Sequence, residues 1–139
     1  MLIPQLKLDP AHDETLDGVG RPAAFLQKKK GQRLASDDIL LAATAVGLRP
    51  DAQTMLDLGT GKGSVAIMVL SALPKLQAVG VEAFAESFRL AVRNARLNEL
   101  QTRFVPIFGD VRTLQGVLGS KTFNLVTGAP PFMKPGLVS

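Results

Sequence analysis

Three acids each close a short apolar run: Asp57 in TMLDLG, Glu82 in QAVGVE and Asp110 in RFVPIFGD. Between the first acid and the next apolar run stand three glycines, Gly59, Gly61 and Gly63, in the order DLGTGKGSVAI. Glycines in such a turn let the backbone bend sharply and approach a ligand closely, and the N–H groups at the start of a following helix are free to meet it. A phosphate-binding G-x-x-x-x-G-K-[ST] loop does not fit, because Lys62 is followed by Gly63 and Leu56 stands where the first glycine belongs. The dinucleotide spacing G-x-G-x-x-G does not fit either, since the third glycine comes one residue early. Asp57 would repel a pyrophosphate and welcome an ammonium group. Glu82, about 20 residues further on, is where an acid accepts the hydroxyls of a ribose. Asp110 can accept from the exocyclic amine of adenine. Ammonium, ribose and adenine amine together describe S-adenosylmethionine. The competing reading is that such acids cap the helices that follow them; repetition on three successive runs with a glycine loop favours the ligand.

A fourth apolar run, FNLVTG, leaves through Gly128-Ala129-Pro130-Pro131-Phe132. Prolines end strand pairing. They also build a rigid shelf, and the carboxyl ends of strands are where open α/β sheets bind ligands.

The elements that must position these residues alternate. A helix is expected over 36–48, started by Ser36 or Asp37, with Ile39, Leu40, Ala43 and Val46 at helical spacing. Strands ending at Asp57, Glu82 and Asp110 alternate with helices over 64–73 and 85–100, the latter with a stripe of Phe88, Ala91, Val92 and Ala95. A weak helix over 113–118 precedes the fourth strand. Pro106 either interrupts the centre of the third strand or puts that strand at an edge. This βαβ alternation predicts an α/β fold with a parallel sheet, right-handed crossovers and helices on both faces. Residues 1–35, broken by Pro4, Pro10, Gly18, Gly20 and Pro22, read as an N-terminal arm, and 36–139 as the ligand-binding domain.

Composition narrows the classes. The chain has 139 residues, 46% hydrophobic and 20% charged, which predicts one globular domain. It has no cysteine, so disulfide frameworks and thiolate metal sites are excluded. Its one histidine, His12, lies in a polar stretch, so no metal site is expected. No apolar run approaches the ~20 residues of a membrane span. The N-terminal stretch lacks a secretory apolar core and carries acids, so a cytoplasmic location is expected. The net charge is +4. Lys28, Lys29, Lys30 and Arg33 cluster in the arm, and Arg89, Arg93 and Arg96 share a helix face. Each cluster is read either as a solvated face or as a contact for RNA phosphates, the arm being the better candidate.

DLGTGKGS, GVE and GDV, followed by the proline pair, resemble the class I S-adenosylmethionine-dependent methyltransferases. QKKKGQRLASDDILLA, over 27–42, with ETLD upstream, resembles the N-terminal segment of the bacterial tRNA(Val) adenine-N6 methyltransferases: Gln27, Gly31, Arg33, Asp37, Leu40, Leu41 and Ala42 match their pattern, while Gln32, Leu34 and Ala35 depart from it. The resemblance implies a Rossmann-like fold. It implies a cofactor site at Asp57, Gly59, Thr60, Gly61, Gly63, Glu82, Asp110 and Val111. It also implies an acceptor site at Ala129, Pro130, Pro131 and Phe132, with tRNA as partner through the basic arm. In amino methyltransferases the last motif reads Asn-Pro-Pro-Tyr or Asn-Pro-Pro-Phe, the Asn oxygen and a proline carbonyl orienting the target amine and the aromatic stacking on the base. Here Ala129 replaces the Asn, removing one of those two contacts. The implied reaction is methyl transfer to a nucleobase amine, adenine N6, in tRNA. The rivals are another acceptor, such as a protein amide or a small molecule, and a cofactor-binding fragment without catalysis. The family's sheet has seven strands and four are read here. Strand four is therefore expected at an exposed apolar edge, in a chain that is a fragment, a truncated product or one completed by a partner.

Overall fold

A computed structural model describes residues 7–18 and 23–130 of the chain. The strands β3 (Thr54–Leu58), β4 (Gln77–Glu82), β5 (Phe104–Phe108) and β6 (Leu125–Gly128) form a parallel sheet of order β5-β4-β3-β6. The order steps outward twice from β3 and then returns to its other side. The point of reversal lies between β3 and β6, where open α/β sheets form their ligand crevice. Pro106 is tolerated because β5 is an edge strand with β4 as its neighbour.

Helices α1 (Ser36–Leu48), α2 (Ser64–Ala72) and α3 (Ala85–Leu97) share one core with this sheet. Alternation along the strands turns Met55, Ala78, Phe104 and Leu125 to the same face, where they meet Ile67, Val69 and Leu70 of α2 and Ala95 of α3. Each of the larger side chains among these, fully buried, contributes about 1.5–3 kcal/mol relative to exposure. The buried residues of α1 are Ala42 and Ala45; Ile39 and Leu40 are exposed, contrary to the stripe expected from spacing. Small residues on that face let α1 lie close against α2. Its start is capped from inside, Ala35 N–H donating to the Asp38 carboxylate at 3.2 Å, rather than by Ser36 or Asp37.

The connection from β5 to β6 passes through a 3-10 turn, Val111–Thr113, and a short helix α4 (Gln115–Leu118). A right-handed crossover in this returning direction runs over the opposite face of the sheet. Helix α3 stops at Leu97, earlier than expected, because Glu99 turns left-handed at φ 57° and Leu100 N–H closes back on the Ala95 carbonyl.

The segment expected as an irregular arm contains an antiparallel hairpin, β1 (Glu14–Gly18) and β2 (Ala24–Lys28). Phe25 and Leu26 are fully buried. Five-residue strands are too short for a period-two pattern to stand out between the prolines and glycines around them. The hairpin docks on α3 through two amides. Asn98 accepts from Ala24 N–H at 3.0 Å and donates to Ala24 O at 2.7 Å; Asn94 accepts from Leu26 N–H at 2.7 Å and donates to Leu26 O at 3.0 Å. Four residues of helix advance about 6 Å, and a strand advances about 6.6 Å over two. The Asn-x-x-x-Asn spacing therefore matches alternate residues of β2 and completes its outer edge.

Candidate cofactor and acceptor site

The loop after β3 is folded across the end of β4. Thr60 N–H donates to Val81 O at 2.9 Å, and Thr60 lies on Gly80, where a Cβ would come within 2.7 Å of its Oγ1. The absence of a side chain at Gly80, inside an otherwise apolar strand, permits this close approach. Gly61 and Gly63 are left-handed, at φ 58° and 87°. At Gly63 a side chain would be strained and would also meet the Phe104 ring at 2.8 Å. At Gly59 and Gly61 the space a Cβ would take is open, so the loop presents bare backbone.

Asp57 is 3% exposed and sits beneath this loop. Its Oδ2 accepts from Thr60 and its Oδ1 from Thr127, both at 2.7 Å. No cation among the described residues pairs with it, and burial pushes its carboxyl above the usual carboxylate range despite the two hydroxyls. Thr127 was not expected in the site; it arrives because β6 pairs with β3 in the register Asp57↔Thr127.

Glu82 ends β4 and is also buried. Its Oε2 accepts from Gly61 N–H at 2.8 Å and its Oε1 from Phe84 N–H at 3.1 Å. A carboxylate has about four acceptor positions, so each oxygen retains capacity for a ligand hydroxyl. Asp110, two residues past the end of β5, accepts from Arg112 N–H at 2.8 Å and Nε at 3.0 Å. The Arg112 guanidinium holds its carboxyl down at about 2. Asp110 thus caps the turn that carries Val111, which is 48% exposed. The capping reading describes Asp110; it does not describe Asp57.

Gly128 pairs with Leu58, so Ala129 and Pro130 leave the sheet directly beside the start of the glycine loop, and both are exposed. Pro131 and Phe132, the rest of the expected acceptor shelf, lie outside the described residues. The open strip above Gly59 and Gly61, flanked by acids at the ends of β3 and β4, suits a ligand with hydroxyls and positive charge. A concavity lined by Pro50, Gln53, Leu73 and Lys75 lies at the other ends of the strands, away from all these residues.

The basic arm is partly tied down. Lys28 pairs with Asp13 at 2.7 Å and Glu86 at 2.9 Å, which raises its ammonium to about 12. Arg33 bonds Lys28 O and Asp17. Lys29 donates to His12 O at 2.7 Å, and Lys30 is exposed. Arg93 holds Glu14 at 2.8 Å together with the carbonyls of Lys7 and Asp9, while Arg89 and Arg96 remain exposed. Among the described residues no cluster of metal-ligating side chains occurs and no helix is long and apolar enough to cross a membrane.

Sheet order, glycine loop and strand-end acids define a Rossmann-like methyltransferase fold. The chain belongs to the methyltransferase small domain family, whose model matches residues 35–138. It is 32% identical over 111 residues to the tRNA1(Val) (adenine(37)-N6)-methyltransferase of Porphyromonas gingivalis, covering 76% of this chain and 43% of that protein. It is 38% identical over 80 residues to the release factor glutamine methyltransferase of Caulobacter vibrioides, covering 58% of this chain and 27% of that protein. In structure it resembles TYW2 of M. jannaschii in complex with AdoMet, with a TM-score of 0.65 at 16% identity, over 77% of this chain and 48% of the other. The chain thus spans less than half the length of these relatives.

Proposed function

We propose that this chain binds S-adenosylmethionine over the Gly59–Gly63 loop and serves a methyltransferase acting on a nucleobase amine, adenine N6, in tRNA. The observation that carries the reading is the Leu58↔Gly128 pairing, which sets the Ala129-Pro130 exit beside the open glycine loop. Glu82 takes the ribose hydroxyls on the acceptor positions left by Gly61 and Phe84. The unpaired charge of Asp57 favours the cationic methionine end through the loop, while its two hydroxyl donors hold the loop in place. Val111 offers an apolar edge to adenine. When bound, S-adenosylmethionine supplies an electrophilic methyl group. The protein's part is to hold the acceptor nitrogen in line with it. The Pro130 carbonyl accepts from the target amine, and Phe132 stacks the base, a contact worth ~1–3 kcal/mol. Lys29 and Lys30 are the arm residues assigned to RNA phosphates.

A second reading takes a protein glutamine amide as acceptor. It is favoured by the similarity to the release factor enzyme. Both acceptors are planar NH2 groups with delocalised lone pairs, so the same shelf serves either. The deciding experiment incubates the full chain with labelled S-adenosylmethionine and either total tRNA or release factor, followed by nucleoside and peptide mass spectrometry. N6-methyladenosine supports the first reading. Methylated glutamine with unmodified tRNA replaces it by the second, and no transfer to either removes both.

A further inference from the structure

Asn94 is the one polar residue among the largest fully buried side chains of the described residues, at 0% exposure, in the last turn of α3. Besides gripping Leu26, its Nδ2 donates to the carbonyl of Lys62 at 2.9 Å. That carbonyl belongs to the peptide between Lys62 and Gly63, whose N–H points the other way and donates to Thr60 O at 2.8 Å. The orientation of this peptide sets the left-handed turn at Gly63 and the start of α2. The peptide is thus fixed from one side by Thr60 and from the other by α3. Glu82 fixes the neighbouring Gly61 N–H. We propose that Asn94 is a positioning residue for the cofactor loop, and that through it the N-terminal hairpin and the loop are ordered together.

The inference rests on the cofactor reading above but concerns different atoms. One Asn amide has a single acceptor and two donor hydrogens. Here the acceptor and one donor serve β2 and the other donor serves the loop. Displacement of the hairpin removes the partners that hold the amide plane, and the Lys62 carbonyl loses its fixed donor. A ligand that orders the loop in turn stiffens Asn94 and the Leu26 amide bonded to it. Asn98 provides the internal control: it binds Ala24 of the same strand and the Asn94 carbonyl, but no atom of the loop.

The test compares the full chain as wild type, Asn94→Ala and Asn98→Ala by calorimetric titration with S-adenosylhomocysteine, and follows amide exchange in the wild type. Asn94→Ala is expected to weaken binding at least about fivefold, the order of one lost hydrogen bond, while Asn98→Ala, which leaves the Lys62 contact in place, weakens it less. Saturating ligand is expected to slow exchange at Leu26 more than at Ala24. Equal affinities for Asn94→Ala and wild type, or equal weakening by the two variants, overturn the inference. If Asn94→Ala does not fold, unchanged exchange at Leu26 in the saturated wild type overturns it instead. A wild type that binds no S-adenosylhomocysteine removes the cofactor reading itself, and this inference with it.

Discussion

Asp57 carries a conflict between folding and binding. It is buried with two hydroxyl donors and no cation among the described residues, so its charged form is disfavoured in the folded chain. Its folded pKa lies above its unfolded one, so the stability it permits is full below the unfolded value and falls as pH rises through the folded value. Asp57→Asn is therefore expected to stabilise the ligand-free chain at pH 7 by about 1 kcal/mol, with the gap to wild type closing as pH falls. The same change is expected to weaken S-adenosylmethionine binding, since the negative charge acting through the loop is lost. Thermal melts over a pH series and a titration at neutral pH read the two effects separately. At the other end of the site, Ala129 offers no side-chain acceptor. If adenine is the acceptor, Ala129→Asn is expected to raise N6-methyladenosine formation by an order of magnitude or more. If a protein amide is the natural acceptor, adenine methylation stays negligible and the native transfer falls. Nucleoside mass spectrometry of treated tRNA distinguishes these results.

The hairpin is joined to α3 by charge as well as by amides. Glu14 is 7% exposed, accepts from Ala11 N–H at 3.0 Å and from Arg93 at 2.8 Å, and the guanidinium holds its carboxyl below the ordinary 4.5. This contribution is present above the unfolded pKa and is lost as pH falls through the lower folded value. Glu14→Gln is expected to cost about 1–2 kcal/mol at pH 7, with no difference from wild type at pH values below the folded pKa. Denaturant melts at the two pH values check this. The sheet elements were readable because strands ending in an acid alternate with helices, and apolar runs bounded by glycine or proline have few other solutions. The hairpin was not readable, since its outer edge is completed by Asn94 and Asn98, distant in sequence. For the same reason the buried face of α3 differs from the stripe expected by spacing: Leu90, Ala91, Asn94 and Ala95 are buried, while Phe88 and Val92 are only partly covered. In the site, Asp57, the glycines and Glu82 stood out by type and spacing. Thr127 did not, because its role depends on strand register.

Across the whole molecule, the helices α1 to α3 share their core with one face of the sheet. On the other face Val105, Val79, Leu56 and Val126 align in one row across the four strands. Val105 and Val126, at its two ends, are 52% and 55% exposed. Among the described residues β6 pairs only with β3, so its outer edge is open. An apolar face beside an open edge favours association. The isolated chain is expected to self-associate in sedimentation runs at concentrations where Val126→Lys remains monomeric. A wild type that sediments as a clean monomer at high concentration, with cooperative melting, contradicts this. Whether the loop over β3 and β4 holds S-adenosylmethionine through Glu82 is read by calorimetric titration of the full chain. Saturable binding of S-adenosylmethionine is expected for wild type, weakened by about 1.5–3 kcal/mol in Glu82→Ala. Equal affinity in wild type and Glu82→Ala, or no binding by a folded wild type, would contradict it.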